Sequence, residues 1–137
     1  MRRRTPVRSL LLGSLLCVAF VYGCAMLLPP KPVSSYQGQR ASGQVAFTWS
    51  NPPDSDFIGV IIVRAEDTTE WKPDNGYSYE DEQVVQTGHV VKHKGAETSY
   101  TDTGLTNSKK YHYTIYAFDE GNNYSDGLSL SFDPFVP

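Results

Sequence analysis

The chain has 137 residues, 39% of them hydrophobic, a formal net charge of −3 and two cysteines. That length allows one domain. From Val33 onward stand seven basic residues and all 15 acidic ones, a net charge of −8. A surface of that sign repels phosphate backbones and anionic lipid, which argues against nucleic acid as a partner.

The N-terminus reads Met1-Arg2-Arg3-Arg4-Thr5-Pro6-Val7-Arg8, and an uncharged run follows from Ser9 to Pro30. Arginines resist translocation, so a basic start ahead of an apolar run predicts that they stay cytoplasmic while the rest is exported. Val21-Tyr22-Gly23-Cys24 resembles the lipobox of bacterial lipoproteins, in which the cysteine is lipidated and becomes the new N-terminus. The resemblance implies a signal over residues 1–24, lipidation at Cys24, and a protein held on the periplasmic or cell-surface face of a bacterial envelope membrane. Two other readings stay open. Leu10 to Leu28 is 19 residues long, close to the ~20 that span a bilayer as one uncleaved helix. Cleavage after Ala25 would release a soluble protein. In every case residues 25–137 contain no cysteine, so the domain must rely on its core rather than on disulfides.

Clustered prolines favour an extended chain, which makes residues 25–39 a proline-rich tether and residues 40–137 the domain. Beyond the tether the apolar pattern has period two. Val45, Phe47 and Trp49 alternate with Ala46 and Thr48 until Asn51-Pro52-Pro53-Asp54 ends the strand,. Gly59 to Ala65, "GVIIVRA", is nearly continuous in β-branched residues and reads as a central strand,. Val84-Val85 and Val90-Val91 form two shorter strands around Gly88. Tyr111, Tyr113, Ile115 and Ala117 alternate against His112, Thr114, Tyr116 and Phe118, and Leu128, Leu130 and Phe132 make the last strand. No helical period follows residue 33. About seven short strands separated by turns predict an all-β, immunoglobulin-like β-sandwich.

At this point the residues resemble a bacterial fibronectin type III domain over roughly residues 40 to 133. Trp49 shortly before Pro52 matches that family's second strand, and Leu105 stands six residues before Tyr111. The resemblance implies that Leu105 plugs the core and that Tyr111 is the tyrosine of the "tyrosine corner". Asn107 and Ser108 replace the family's usual proline and glycine in that turn. The middle, "WKPDNGYSYEDEQVVQTGHVV", resembles an extended hairpin of bacterial variants, with Pro73, Asn75, Gly76 and Tyr79 in a P-x-(D/N)-G-x-x-Y pattern.

Asp102-Thr103-Gly104 is the tripeptide of aspartic proteases, but such an enzyme needs two aspartates sharing a proton. The chain has one such tripeptide, preceded by the polar Glu97-Thr98-Ser99 and Thr101. Asp102 is therefore read as structural. His89 and His93 on one strand face stand some 13 Å apart at ~3.3 Å per residue, too far to share an ion. His112 falls on the outward face of its strand. Asp54-Ser55-Asp56 and Asp119 to Asn123 carry calcium-type oxygens without the full loop pattern, and Asp, Asn and Gly are ordinary turn residues. These readings predict no metal and no cofactor. With no G-x-S-x-G, H-E-x-x-H or glycine-rich phosphate loop, they also predict no enzymatic activity.

Trp71, Tyr77 and Tyr79, set among acids in the extended hairpin, form the candidate partner-binding surface. The competing reading is that these rings cover the open side of a small sandwich. The sequence thus predicts a non-catalytic interaction or spacer module that meets an envelope protein or a glycan. A carbohydrate-binding accessory module is the alternative, and a small hydrolase comes third.

Overall fold

The computed structural model describes residues 28–67 and 70–134. Residues 1–24, with Cys24, lie outside the described residues. Among the described residues eight strands follow one another: β1 (Ser34–Ala41), β2 (Gln44–Ser50), β3 (Phe57–Ala65), β4 (Val84–Gln86), β5 (His89–Gly95), β6 (Ser99–Thr103), β7 (Tyr111–Asp119) and β8 (Leu128–Phe132). They build two antiparallel sheets, a three-stranded one in the order β1-β2-β6 and a five-stranded one in the order β4-β5-β3-β7-β8. The architecture is the predicted all-β sandwich, with one strand more than about seven.

Alternation decides what lies between the sheets. Val45, Phe47 and Trp49 of β2 meet Val60 and Ile62 of β3 and Tyr111, Tyr113, Ile115 and Ala117 of β7 in one buried cluster. Leu105 closes it at one end. Burying side chains of this size at ~1.5–3 kcal/mol each is what drives the sheets together.

The opposite face of β3 and β7 carries buried side chains too. Ile61, Val63, Tyr116 and Phe118 point away from the first cluster, and with Val91, Tyr79 and Tyr124 they form a second one. Trp71 and Val85 pack against it. The five-stranded sheet is therefore covered on both faces, and this is why β3 reads as an unbroken apolar run rather than an alternating one. What covers the outer face is residues 70–83, an irregular stretch laid across the sheet as a strap.

Two expectations are corrected here. The sandwich takes in residues assigned to the tether, because β1 pairs with β2 from Ser34↔Ser50 onward and Val33 is buried in the first cluster. The Lys31 backbone N–H also donates to Asp54 Oδ2 at 3.1 Å. The second correction concerns His89 and His93, which do not share a face. Ile62 pairs with His93 and Val63 with Val91, so Lys92 is an extra residue in β5. A bulge of this kind resets the alternation. His89 pairs with Ala65 on the strap side, while His93 turns inward and stacks on Tyr100 at 5.0 Å.

Candidate functional site

Asp102 is the most deeply placed acid, 1% exposed. It lies on β6 opposite Val45 and faces the five-stranded sheet. Its Oδ2 accepts from Arg64 Nη1 at 2.8 Å and from the Tyr113 hydroxyl at 2.9 Å, and Lys92 Nζ stands 4.0 Å from Oδ1. Burial works against the Arg64 charge, but the carboxylate's attraction and hydrogen bond outweigh it and hold that pKa above its usual value. Arg64 also lies over the Tyr111 ring at 5.5 Å. A carboxylate held between a guanidinium and a phenol is a clamp between two sheets. Sequence spacing could not show this clamp, since its members come from four different strands.

Beside it, the Tyr111 hydroxyl accepts the Thr106 backbone N–H at 3.1 Å, with Leu105 buried below. Gly104, at φ 72°, starts the turn in the left-handed region that favours glycine,. Trp49 is buried and donates its indole N–H to Asn51 Oδ1 at 2.9 Å.

The strap is built from tyrosine hydroxyls and backbone. Irregular chain lying on a sheet has no ladder to satisfy its polar groups, so side chains must do it. Tyr116 donates its hydroxyl to the Trp71 carbonyl at 2.8 Å and Tyr124 to the Tyr77 carbonyl at 2.9 Å. The Asp74 backbone N–H donates to the Tyr79 hydroxyl at 2.9 Å. Asn75 Oδ1 accepts the Tyr124 N–H at 2.9 Å, and the Gly76 N–H reaches the Asn122 carbonyl at 2.9 Å with Gly76 at φ 81°. Burial pushes the Tyr116 and Tyr124 hydroxyls up to about 12, so both donate as neutral phenols. Asn75, Gly76 and Tyr79 of the P-x-(D/N)-G-x-x-Y pattern thus serve to hold a loop onto a sheet.

Of the three rings expected on a partner-binding surface, the structure leaves one well exposed. Tyr79 is 4% exposed and Tyr77 is 53% exposed, while Trp71 is half-buried, edge-on to Tyr79 and Tyr116. Tyr79 is corrected from surface to core, because its hydroxyl closes the strap and its ring lies under it. The surface feature left is a hollow of about 220 Å³ lined by Trp71, Asp74, Tyr77, Tyr79, Gln83, Val84 and Val85. It borders β4, the edge strand of the five-stranded sheet, where Val84 is 67% exposed.

A model of the fibronectin type III domain matches residues 28–131. The chain belongs to the fibronectin type III family. Domains of this family are usually non-catalytic. No curated protein is similar enough in sequence to match the chain. Among solved structures, the spore cortex lytic enzyme SleM of Clostridium perfringens superposes with a TM-score of 0.55 at 14% identity, over 80% of this chain and 30% of that one. A β-1,2-glucanase from Parabacteroides distasonis gives 0.56 at 16% identity, over 81% of this chain and 13% of the glucanase. A fibronectin type III domain from a human protein gives 0.54 at 14%, over 78% and 79% of the two chains. At such identities the likeness is one of fold.

The remaining candidates in this fibronectin type III domain are accounted for by local structure. Asp56, Asp119, Glu120 and Gly121 line a hollow of about 230 Å³ at one end of the sandwich. The Asp119 carboxylate there accepts both the backbone N–H and the side-chain amide of Asn123, at 2.8 and 2.9 Å. That is a turn closing on itself. Among the described residues no group of three His, Cys, Asp or Glu side chains is placed to hold a metal. His112 Nδ1 lies 2.7 Å from the Ser131 hydroxyl on the neighbouring strand.

Proposed function

We propose that this protein is an exported bacterial envelope lipoprotein, anchored through Cys24, whose fibronectin type III domain is a non-catalytic interaction module or spacer. The basic start, the apolar run and the lipobox-like Val21 to Cys24 support the anchor,. The observation that carries the interaction reading is the exposed pair Tyr77 and Val84, both lining a hollow beside β4, an edge strand among the described residues. Exposed aromatic and aliphatic side chains beside an open edge are what a partner chain uses. The partner is an envelope protein in this reading. The rival, a glycan, calls for aromatic rings exposed in one plane, and Trp71 and Tyr79 are set edge-on to each other instead.

Two measurements test the proposal. Metabolic fatty-acid labelling with intact mass should find the label on the wild type and none on Cys24→Ser, which should accumulate as a longer precursor. An unlabelled full-length wild type would mean an uncleaved helix, and unlabelled protein starting at Met26 would mean ordinary cleavage. Cross-linking in envelopes followed by co-purification should yield a protein partner with the wild type and lose it with Tyr77→Ala. If the same partner comes down with both, the hollow is not its site.

A further inference from the structure

The hollow beside β4 has a chemistry that the packing of the strap does not use. Its rings stand across one another: Trp71 is at 85° to Tyr79 with centroids 5.3 Å apart, and Tyr77 is at 55° to Tyr79 with centroids 4.8 Å apart. Tyr79 is buried beneath, so the rings that the hollow presents are the exposed Tyr77 and the half-buried Trp71. A cation held over a ring face is attracted to it. Asp74 shares the lining and makes no ion pair among the described residues. Its neighbours Glu82 and Glu80, by contrast, are paired with Lys92 and Lys94. Of the five carboxylates on residues 70–83, two are taken by those lysines and Lys72 offsets one more, which leaves a net negative charge that attracts a positive one,.

Size and position narrow the ligand. About 220 Å³ is less than the ~300–1,000 Å³ of small-molecule pockets, enough for one side-chain head group. The hollow adjoins β4, beyond which no strand is paired among the described residues, so an extended peptide has backbone partners there. A choline-type head group would have no use for that edge. We propose that the hollow receives the ammonium group of a lysine side chain, carried by a partner segment lying extended along β4. This rests on the interaction-module reading and adds the chemistry of the partner.

The test uses the full-length protein in detergent micelles and follows the two indole N–H signals by NMR, with Trp49, buried between the sheets, as internal control. N-acetyl-lysine methylamide should move the Trp71 signal saturably and leave Trp49 in place, while the uncharged norleucine analogue should move neither. Asp74→Asn and Tyr77→Ala should each weaken lysine binding about three- to tenfold with the thermal midpoint unchanged. Equal binding of the norleucine analogue would overturn the proposal, as would full affinity in Asp74→Asn or no movement of Trp71 at all. Binding of choline without binding of the lysine derivative would overturn it in favour of a lipid-type head group. Because the probe is a free amino-acid derivative, the two readings fail separately. Lysine binding with no partner captured from envelopes overturns the interaction module and not the chemistry of the hollow.

Discussion

The two faces of the five-stranded sheet are buried by different means. On the inner face, strands pack on strands. Val45, Phe47 and Trp49 meet Ile62, Tyr113 and Ile115, and the strands that carry them pair their backbones in ladders. On the outer face, an irregular strap supplies the cover, and its carbonyls and N–H groups have to find partners one by one. Aromatic residues dominate that face because a tyrosine buries a large ring and carries a hydroxyl to a backbone group at the same time. Tyr116 with Trp71, Tyr124 with Tyr77 and Asp74 with Tyr79 are three cases of that one device. The inner layer should therefore open only with the whole domain, and the outer layer can open before it.

The largest effects belong to the inner layer. Trp49→Ala should cost ~3–5 kcal/mol by leaving a cavity, a large share of a domain's ~5–15. Asp102→Ala should cost a similar ~3–5 kcal/mol, since Arg64 would keep a half-buried charge without its counter-ion. Replacing Asp102 by Leu and Arg64 by Met together should recover much of that loss, because no charge is then stranded. Urea unfolding of the single and double variants measures the coupling. If Asp102→Ala leaves the midpoint where it was, the carboxylate is not a clamp and the sheets are held by apolar contact alone.

Trp71→Ala should cost less, about 1–3 kcal/mol, and in a different way. Its backbone carbonyl still accepts the Tyr116 hydroxyl, but the ring that packs edge-on to Tyr79 and Tyr116 is gone. Amide exchange should speed up across residues 70–83 while β2, β3 and β7 stay protected. Exchange that rises equally in both layers would mean that they fold as one unit and that the contrast drawn above is wrong.

How much of this was legible in the sequence follows from the same contrast. β2, β3 and β7 declare themselves because each buries a regular set of side chains. The unbroken apolar run of β3 already carried the news of a second covered face, although period-two reasoning alone could not say what covered it. β1 gives no such signal. Only Tyr36 and Gly38 of its eight residues are partly buried, and Gly38 is there because any side chain would collide with the Phe132 ring. The bulge at Lys92 is a property of two paired strands and has no mark in one. Leu105 and Tyr111 were readable since their roles are local, six residues apart. Asp102 could be judged structural from its sequence surroundings, but not assigned to Arg64 and Tyr113, which are brought to it only by the topology. Tyr79 misled for the opposite reason: its acidic neighbours look like surface, and its ring is core.

Tyr111→Phe is the next effect in size and isolates a single bond. It keeps the ring under Arg64 and Lys109 and removes only the acceptor for the Thr106 N–H, so the cost should be about 1 kcal/mol. Denaturant midpoints at unchanged slope measure it. A loss several times larger would mean that the hydroxyl organises the whole turn from Leu105 to Lys109 rather than one N–H.

Tyr77→Ala should have the smallest effect on stability, within about 0.5 kcal/mol of the wild type. Its ring is 53% exposed, and the contact that holds the strap at this point runs from the Tyr124 hydroxyl to the Tyr77 carbonyl, which alanine retains. Among the described residues the ring's one aromatic neighbour is Tyr79, at 4.8 Å, and Tyr79 keeps Trp71 and Tyr124 around it. This substitution therefore separates the strap's two duties, covering the sheet and presenting a surface. If thermal unfolding drops by several degrees, Tyr77 belongs to the cover and the hollow has no wall to spare for a partner. If the midpoint holds while partner capture from envelopes is lost, the outer layer is both a lid and a recognition surface, with Tyr77 as the residue that divides one from the other.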